Sequence, residues 1–443
     1  MRTSFLLALA VPLWAQNSLS LREAVQLALR ENKAIAATDA AARASTARID
    51  EARSGRLPKL NYSESFVRSD NPVFVFSSLL TQHQFGVENF NIGPLNRPDS
   101  INNFQSLLSV DQPLYDAGQT RNAVKSADLS RQMTVEEQRR TQMQVISGVV
   151  RAYYGAVLAA ESLKTAEQAV RSAAADLKRA ESVRAAGMST DVDVLSIRVH
   201  LAAVTEQRIQ RAADLDVAQS ALNDALGLPL DTRHTLSSAL NPLALPELEL
   251  ASLERNASST RPEVRATHLE EDLAKTQADS ARSALLPQVG FHAAFEADRQ
   301  QFVNKGGANW LASIGLRWNL FNGNGDKAKI EESRHWMERA HADEQRVDSA
   351  VRLEVRRAWA DLRAAEQRIE VAKAAVAEAD ESLRITQNRY EAGMSNVTDL
   401  LRNETAVLES RTRYLAAVHD QRIAATMLEL AAGRLSPDSE VLN

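Results

Sequence analysis

From Tyr115 to Arg184, apolar residues recur three or four positions apart through much of the stretch: Ile146, Val149, Tyr153, Val157, Ala160, Leu163, Val170, Leu177 and Ala180. That spacing lines one side of an α-helix. No proline occurs from 114 to 228, or again from 288 to 436. The pattern therefore predicts long helices over 119 to about 185 and about 326 to 391. At 1.5 Å per residue each would reach roughly 100 Å, far beyond a compact domain. Such a helix has to pack lengthwise along its whole course. Its stripe is narrow and heptad-like, which points to coiled-coil packing. A return helix of about half that length follows each turn, near 190–226 and 396–432. Another half-length helix precedes the strands, near 20–55, where Ser20 and Glu23 form a capping box. Two halves stacked end to end match one long helix.

A second pattern alternates with period two. Trp310, Ala312, Ile314, Leu316, Trp318 and Leu320 fall on one side, with Ser313, Arg317 and Asn319 on the other. Val289, Phe291, Ala293 and Phe295 alternate with Gly290, His292 and Glu296. Phe104, Leu108, Val110 and Leu114 alternate with Gln105, Ser109 and Asp111, and Leu60, Tyr62 and Phe66 make the weakest run. Four strands are predicted, at about 59–69, 104–115, 287–296 and 310–321. Strands of this length with one apolar and one polar side suit a barrel in lipid around a wet lumen. An antiparallel sheet on a soluble core shows the same alternation. Trp310 and Trp318, near the two ends of one apolar face, point to membrane-interface aromatics.

These patterns occur twice. Gly187-Met188-Ser189 returns as Gly393-Met394-Ser395, 206 positions on, and Asp193 with Asp399, Leu195 with Leu401 and Gly227 with Gly433 keep that offset. Upstream, Leu57-Pro58 matches Leu286-Pro287 at an offset of 229, so the first copy carries 23 extra residues between Pro58 and Leu114. One large unit has been duplicated. The repeats span 16–230 and 262–435, with helix-hairpin tips at 187 and 393. The segment 231–261 reads as an irregular connector and 436–443 as a short polar tail. The length difference falls between the first two strands, where Ser69 to Asn103 carries Asn71-Pro72, Gly93-Pro94 and Arg97-Pro98. Its counterpart, Ala297 to Asn309, is short and carries Gly306-Gly307.

Composition narrows the picture. The net charge is −5, which gives no support for nucleic-acid binding, and cysteine is absent, which excludes disulfides and thiolate sites. Residues 1–15 read as a secretory signal: Arg2, the apolar run Phe5 to Val11, and Ala15 before the cut. No apolar run is long enough for a membrane-spanning helix, so any membrane span has to be made of strands. Four strands are too few for a transmembrane barrel, and an open sheet edge in lipid leaves backbone groups unpaired. The chain is therefore expected to share a barrel with copies of itself. Three copies supply twelve strands; two supply eight, which the strand count alone does not exclude.

Together these features resemble the TolC-type outer-membrane efflux protein family. The marks are the opening Leu19-Ser20-Leu21-Arg22-Glu23-Ala24-Val25, the turns Arg184-Ala185-Ala186-Gly187 and Arg389-Tyr390-Glu391-Ala392-Gly393, and the strand-to-helix elements Gln112-Pro113-Leu114-Tyr115-Asp116-Ala117-Gly118 and Asn319-Leu320-Phe321-Asn322-Gly323. Their order and duplication carry the match, over essentially the whole mature chain. The resemblance implies a mostly α fold with transmembrane β: a homotrimer with a 12-stranded β-barrel in outer-membrane lipid, continued by a periplasmic α-helical barrel. It implies an exit duct for efflux or type I secretion, with a periplasmic adaptor (membrane fusion protein) and an inner-membrane pump as partners.

By motif position the resemblance places Asp193, Tyr390 and Asp399 at a periplasmic gate. Arg402 stands where a second aspartate ring is found in the family, and Ser395 where some members carry arginine. The residues themselves have a plainer reading: Thr190 with Asp193 and Asn396 with Asp399 each look like a capping box at a helix start. The turns Ala186, Gly187, Met188 and Gly393, Met394, Ser395 read as helix-hairpin tips, which the resemblance makes adaptor-docking tips. The eight histidines have no metal-ligand spacing, and HExxH, Gly-x-Ser-x-Gly and P-loop motifs are absent. No catalytic role and no cofactor is expected. A periplasmic coiled-coil adaptor or scaffold is the alternative; it explains the hairpins but not the duplicated strand–strand–long-helix unit.

Overall fold

The computed structural model describes residues 18–186, 190–244, 249–303 and 306–442. The signal expected at 1–15, and Gly187 and Met188 of the first tip, lie outside the described residues. In chain order the elements are β1 (Ser18–Leu19), α1 (Leu21–Glu31), α2 (Lys33–Arg53), β2 (Lys59–Ser69), α3 (Pro72–Thr81), α4 (Ile92–Asn96), β3 (Ile101–Tyr115), α5 (Gln119–Ala185), α6 (Asp191–Leu226), β4 (Thr235–Leu236), α7 (Leu250–Thr260), α8 (Pro262–Ser283), β5 (Gln288–Arg299), β6 (Gly307–Arg317), α9 (Gly325–Glu391) and α10 (Val397–Ala431). Two compact units are formed: Ala42–Met133 with His268–Asp343, and the remainder.

The first unit holds a four-stranded antiparallel sheet in the order β2-β3-β5-β6. Because side chains alternate, register sorts them onto two faces. Tyr62, Leu108, Phe295 and Trp310 pair across one row, with Leu60, Val110, Ala293 and Ala312 in the next. The opposite face carries Gln105 bonded to Glu296 (2.6 Å), Asp111 to His292 (2.7 Å) and Asn103 to Asp298 (2.6 Å). The apolar face is solvent-exposed, with Trp310 at 80% and Trp318 at 55%. An exposed face of this size is a surface built to meet something apolar. Four strand bounds differ from the sequence pattern by three or four residues, with β3 starting at Ile101 and β6 at Gly307. β5 runs on to Arg299, paired with Phe104, and β6 ends at Arg317 rather than 321. Beyond it the Trp318 indole donates to the Leu285 carbonyl (3.0 Å), which draws the chain off the ladder.

The second unit is helical around one apolar core that includes Leu21, Val25, Ile146, Val149, Tyr153, Tyr154, Leu222, Leu253, Val355 and Leu428. The return helices α6 and α10 are continuous, whereas the segment before each pair of strands is broken in two. Asn32 adopts an extended conformation (ψ 129°) between α1 and α2, and Arg261 does the same (ψ 131°) between α7 and α8. Gly227 (φ 78°) and Gly433 (φ 70°) lie against these two breaks. A Cβ on either would fall 2.8 Å from its neighbour, the Glu31 carbonyl or the Thr260 hydroxyl. The breaks are 229 residues apart and the glycines 206, so the duplication seen in sequence reappears as a repeated joint.

Three expectations need correction. The connector is not wholly irregular: β4 pairs with β1, and α7 follows it. It is strapped down by Tyr153, whose hydroxyl donates to the Leu19 carbonyl (2.7 Å) and accepts from Ser238 N (3.2 Å). Gln421 bonds Leu243 N and O (both 2.9 Å), and Arg422 reaches the Asn241 carbonyl (2.9 Å) and the Tyr154 hydroxyl (3.0 Å). The tail is not simply polar, since Val441 and Leu442 are buried in the core. Finally, α5 contains an 18-residue window of mean hydropathy 1.2, enough by composition for a membrane span. Of that window 44% is buried, and the apolar residues of α5 line the helical core, which explains the hydropathy without a bilayer.

Candidate functional site

The hairpin turns are built as the sequence pattern requires. α9 ends in a Schellman motif: Gly393 (φ 72°) donates to the Tyr390 carbonyl (3.0 Å) and Met394 to that of Arg389 (2.8 Å). Ala186 donates to the Ser182 carbonyl (3.2 Å) at the end of α5. Ala186, Gly393 and Met394 are exposed, and Ser395 is half-buried.

Asp193 and Asp399 both stand at helix starts, but their carboxylates are held differently. Asp193 completes a two-way capping box, accepting from Thr190 N (3.1 Å) and the Thr190 hydroxyl (2.8 Å) while its own N–H bonds Thr190 Oγ1 (3.3 Å). Asp399 donates its N–H to Asn396 Oδ1 (2.8 Å), but its carboxylate takes the Ser395 hydroxyl (3.2 Å). Ser395 is thus a neutral hydroxyl partner for Asp399.

Tyr390 packs against a small apolar cluster of Ala180, Val194, Ile197 and Val397 that ties the hairpin ends together. Burial raises the pKa of its phenol, and the charges of Asp193 and Asp176 raise it further, against the opposing pull of Arg179. Tyr390 and Asp193 are therefore brought together within one chain, while Asp399 is bound up with its own turn. Arg179 also bridges to Glu391, and Arg184 to Asp191 (3.0 Å).

Asp176 and Glu404, which the sequence reading passed over, form the most perturbed pair. Asp176 is 3% exposed, and its Oδ2 has no protein donor among the described residues. Burial and the neighbouring Glu404 carboxyl push its pKa up to about 7. Burial alone would raise Glu404 as well, but hydrogen bonds from His200, Asp176 and Ser172 outweigh it and hold Glu404 below the usual range. His200 Nε2 lies 3.2 Å from Glu404, and the Ser172 hydroxyl lies 3.1 Å away. A proton shared between the two carboxyls relieves their mutual repulsion. Beside it is a cavity of about 200 Å³ lined by Thr165, Ser172, His200, Leu383, Glu404 and Arg411.

The second unit is a helix-hairpin assembly with a polar, titratable end, and the first holds a sheet with one apolar face. A family model described as "Outer membrane efflux protein" matches residues 24–228 and 253–434. The chain belongs to the outer membrane efflux protein family. Three relatives bear this out over most of their length. Protein CyaE of Bordetella pertussis is 28% identical over 76% of this chain and 72% of its own. Outer membrane efflux protein BepC of Brucella suis is 26% identical over 88% and 87%. Alkaline protease secretion protein AprF of Pseudomonas aeruginosa is 24% identical over 86% and 78%. The fold is shared with a solved membrane protein from Pseudomonas aeruginosa, at a TM-score of 0.79 and 19% identity, covering 93% of this chain and 92% of that one. This outer membrane efflux protein is thus a channel-family member of mostly α fold with transmembrane β, and its helical part lies in the periplasm.

Proposed function

We propose that three copies of this chain close a twelve-stranded barrel in the outer membrane and form the exit duct of a tripartite efflux or type I secretion machine. The observation that carries the reading is the four-stranded sheet with open edges at β2 and β6. Each unpaired backbone group facing lipid costs several kcal/mol, so the edges need partners. β2 and β6 run in opposite directions, so β6 of one copy joins β2 of the next in the same antiparallel sense, and a ring closes without a break. Each repeat, 16–230 and 262–435, supplies two strands and one hairpin.

Trp310 and Trp318 take the two membrane interfaces, which is supported by their exposure and by the polar Glu64–Ser106 pairing one row beyond Trp310. At the periplasmic end, Asp193, Tyr390 and Asp399 form the gate. The turns at Ala186–Met188 and Gly393–Ser395 meet a periplasmic adaptor, which links the duct to an inner-membrane pump. Transport through the duct is passive, with no catalytic step. The efflux role in the name of BepC and the secretion role in that of AprF support an exit duct of either kind. The test is the mass and conductance of the detergent-purified protein. Three chain masses and discrete channels in a planar bilayer are expected; a monomer that inserts no channels would overturn the reading.

A further inference from the structure

The 23 residues by which the first repeat exceeds the second lie between β2 and β3, and they are folded rather than loose. Asn71 caps α3 by accepting from Val73 N (3.0 Å) and Phe74 N (3.2 Å). Phe85 then stacks edge-on against both Phe76 (4.7 Å between centroids) and Phe90 (5.1 Å). The position of this small structure is set by bonds to one side of the sheet. Gln82 Nε2 donates to the Asn102 carbonyl (3.0 Å) and to Asn103 Oδ1 (2.9 Å), and Asn103 donates to Asp298. Asn309, paired in register with Glu296, donates to the Thr81 carbonyl (3.2 Å). Gln82, Asn103 and Asp298 are all buried, Asp298 completely. Gly307 comes so close that a Cβ there would fall 1.8 Å from the Thr81 carbonyl. Asn103, Asp298, Glu296 and Asn309 share the polar face, the one that alternation turns away from lipid. The contacts lie at the strand ends remote from α2 and α5.

We infer that residues 70–100 form a lid seated in the outer mouth of the duct, where it sets the size of what passes. The inference rests on the barrel proposed above, since only a closed barrel makes the polar face a lumen. A plain loop would fold outward or over the rim; this one is fastened inside by buried side-chain bonds and a glycine contact. Three such lids, one per copy, narrow a mouth that the twelve strands alone would leave wide.

The chain has no cysteine, so a single Ala294→Cys on the polar face of β5 gives one reactive thiol inside the mouth. Intact cells are treated from outside with a small methanethiosulfonate or a bulky maleimide-polyethylene glycol. With the lid present, the small reagent is expected to label and the bulky one to fail. Ser69 pairs with Ile101, so residues 71–99 can be replaced by an Asn-Gly hairpin turn, and bulky labelling should then appear. Gly307→Ala, which displaces Thr81 without shortening the chain, should admit the bulky reagent as well. Bulky labelling with the lid in place, or none from either variant, overturns the lid. A trimer mass with equal labelling sinks the lid alone, whereas a monomer mass sinks the barrel with it.

Discussion

Replacing Asp176 by asparagine tests whether a shared proton helps to hold the hairpin ends together. The folded pKa of Asp176, about 7, lies above its ordinary 3.8, so the unfolded chain releases the proton first. The stabilising contribution is whole below about pH 4 and is lost as pH rises through about 7. A wholly enclosed carboxyl shifted that far would carry roughly 4 kcal/mol. The adjoining cavity admits solvent, and the proton is shared with Glu404, so about 1–2 kcal/mol is expected. Asp176→Asn keeps the shape and stays neutral at every pH. Hydrogen exchange of the 172–182 amides in the full-length protein is the assay, taken as the ratio of variant to wild type at each pH. The ratio should be near one at about pH 4, with wild type exchanging about 5–30 times faster at about pH 8. Equal exchange at both ends of the range would refute the shared proton.

Three further outcomes are expected. If Asp399 lines the gate, three copies around an axis favour cations, and Asp399→Ala should raise single-channel conductance or abolish cation block; unchanged currents would remove it from the gate. Tyr153→Phe leaves the Leu19 carbonyl and Ser238 N without their partner, at a cost of about 1–3 kcal/mol, read as faster exchange in residues 235–238. Gly227→Ala forces a side chain into a left-handed conformation against the Glu31 carbonyl and should cost at least about 1–2 kcal/mol in thermal unfolding. An unchanged melting temperature would mean that the α1–α2 joint is slack.

Much of this architecture was readable because its elements are long and periodic. A proline-free stretch such as 114–228 admits one reading, and α5 and α9 run for 67 residues each. The strands were readable from alternation, although the end of β6 depends on the Trp318–Leu285 bond, which has no sequence signature. The helix break at Asn32 escaped notice because asparagine is tolerated within a helix. The break lies against Gly227, in a distant segment whose approach the local sequence does not reveal. Asp176 and Glu404 did leave a trace. Asp176 is three residues after Ala173 and four before Ala180, on the buried stripe, and Glu404 falls between Leu400 and Val407 in the same way. A carboxyl on an apolar stripe marks a buried charge even before its partner is known. The capping role of Asp193 was visible from spacing alone, whereas the Ser395–Asp399 contact depended on the turn geometry. The lid was hinted at only by an insertion and by Gly306-Gly307, because what a glycine makes room for lies elsewhere in the chain.

In the proposed ring, the open edges of β2 and β6 belong to neighbouring copies. Single cysteines placed along β2 and along β6 of this cysteine-free chain, oxidised in outer membranes, measure that pairing directly. Covalent rings of three chains are expected, formed only by combinations that place a β2 cysteine against one in β6. Rings of two chains, or cross-links confined within a single chain, would contradict it.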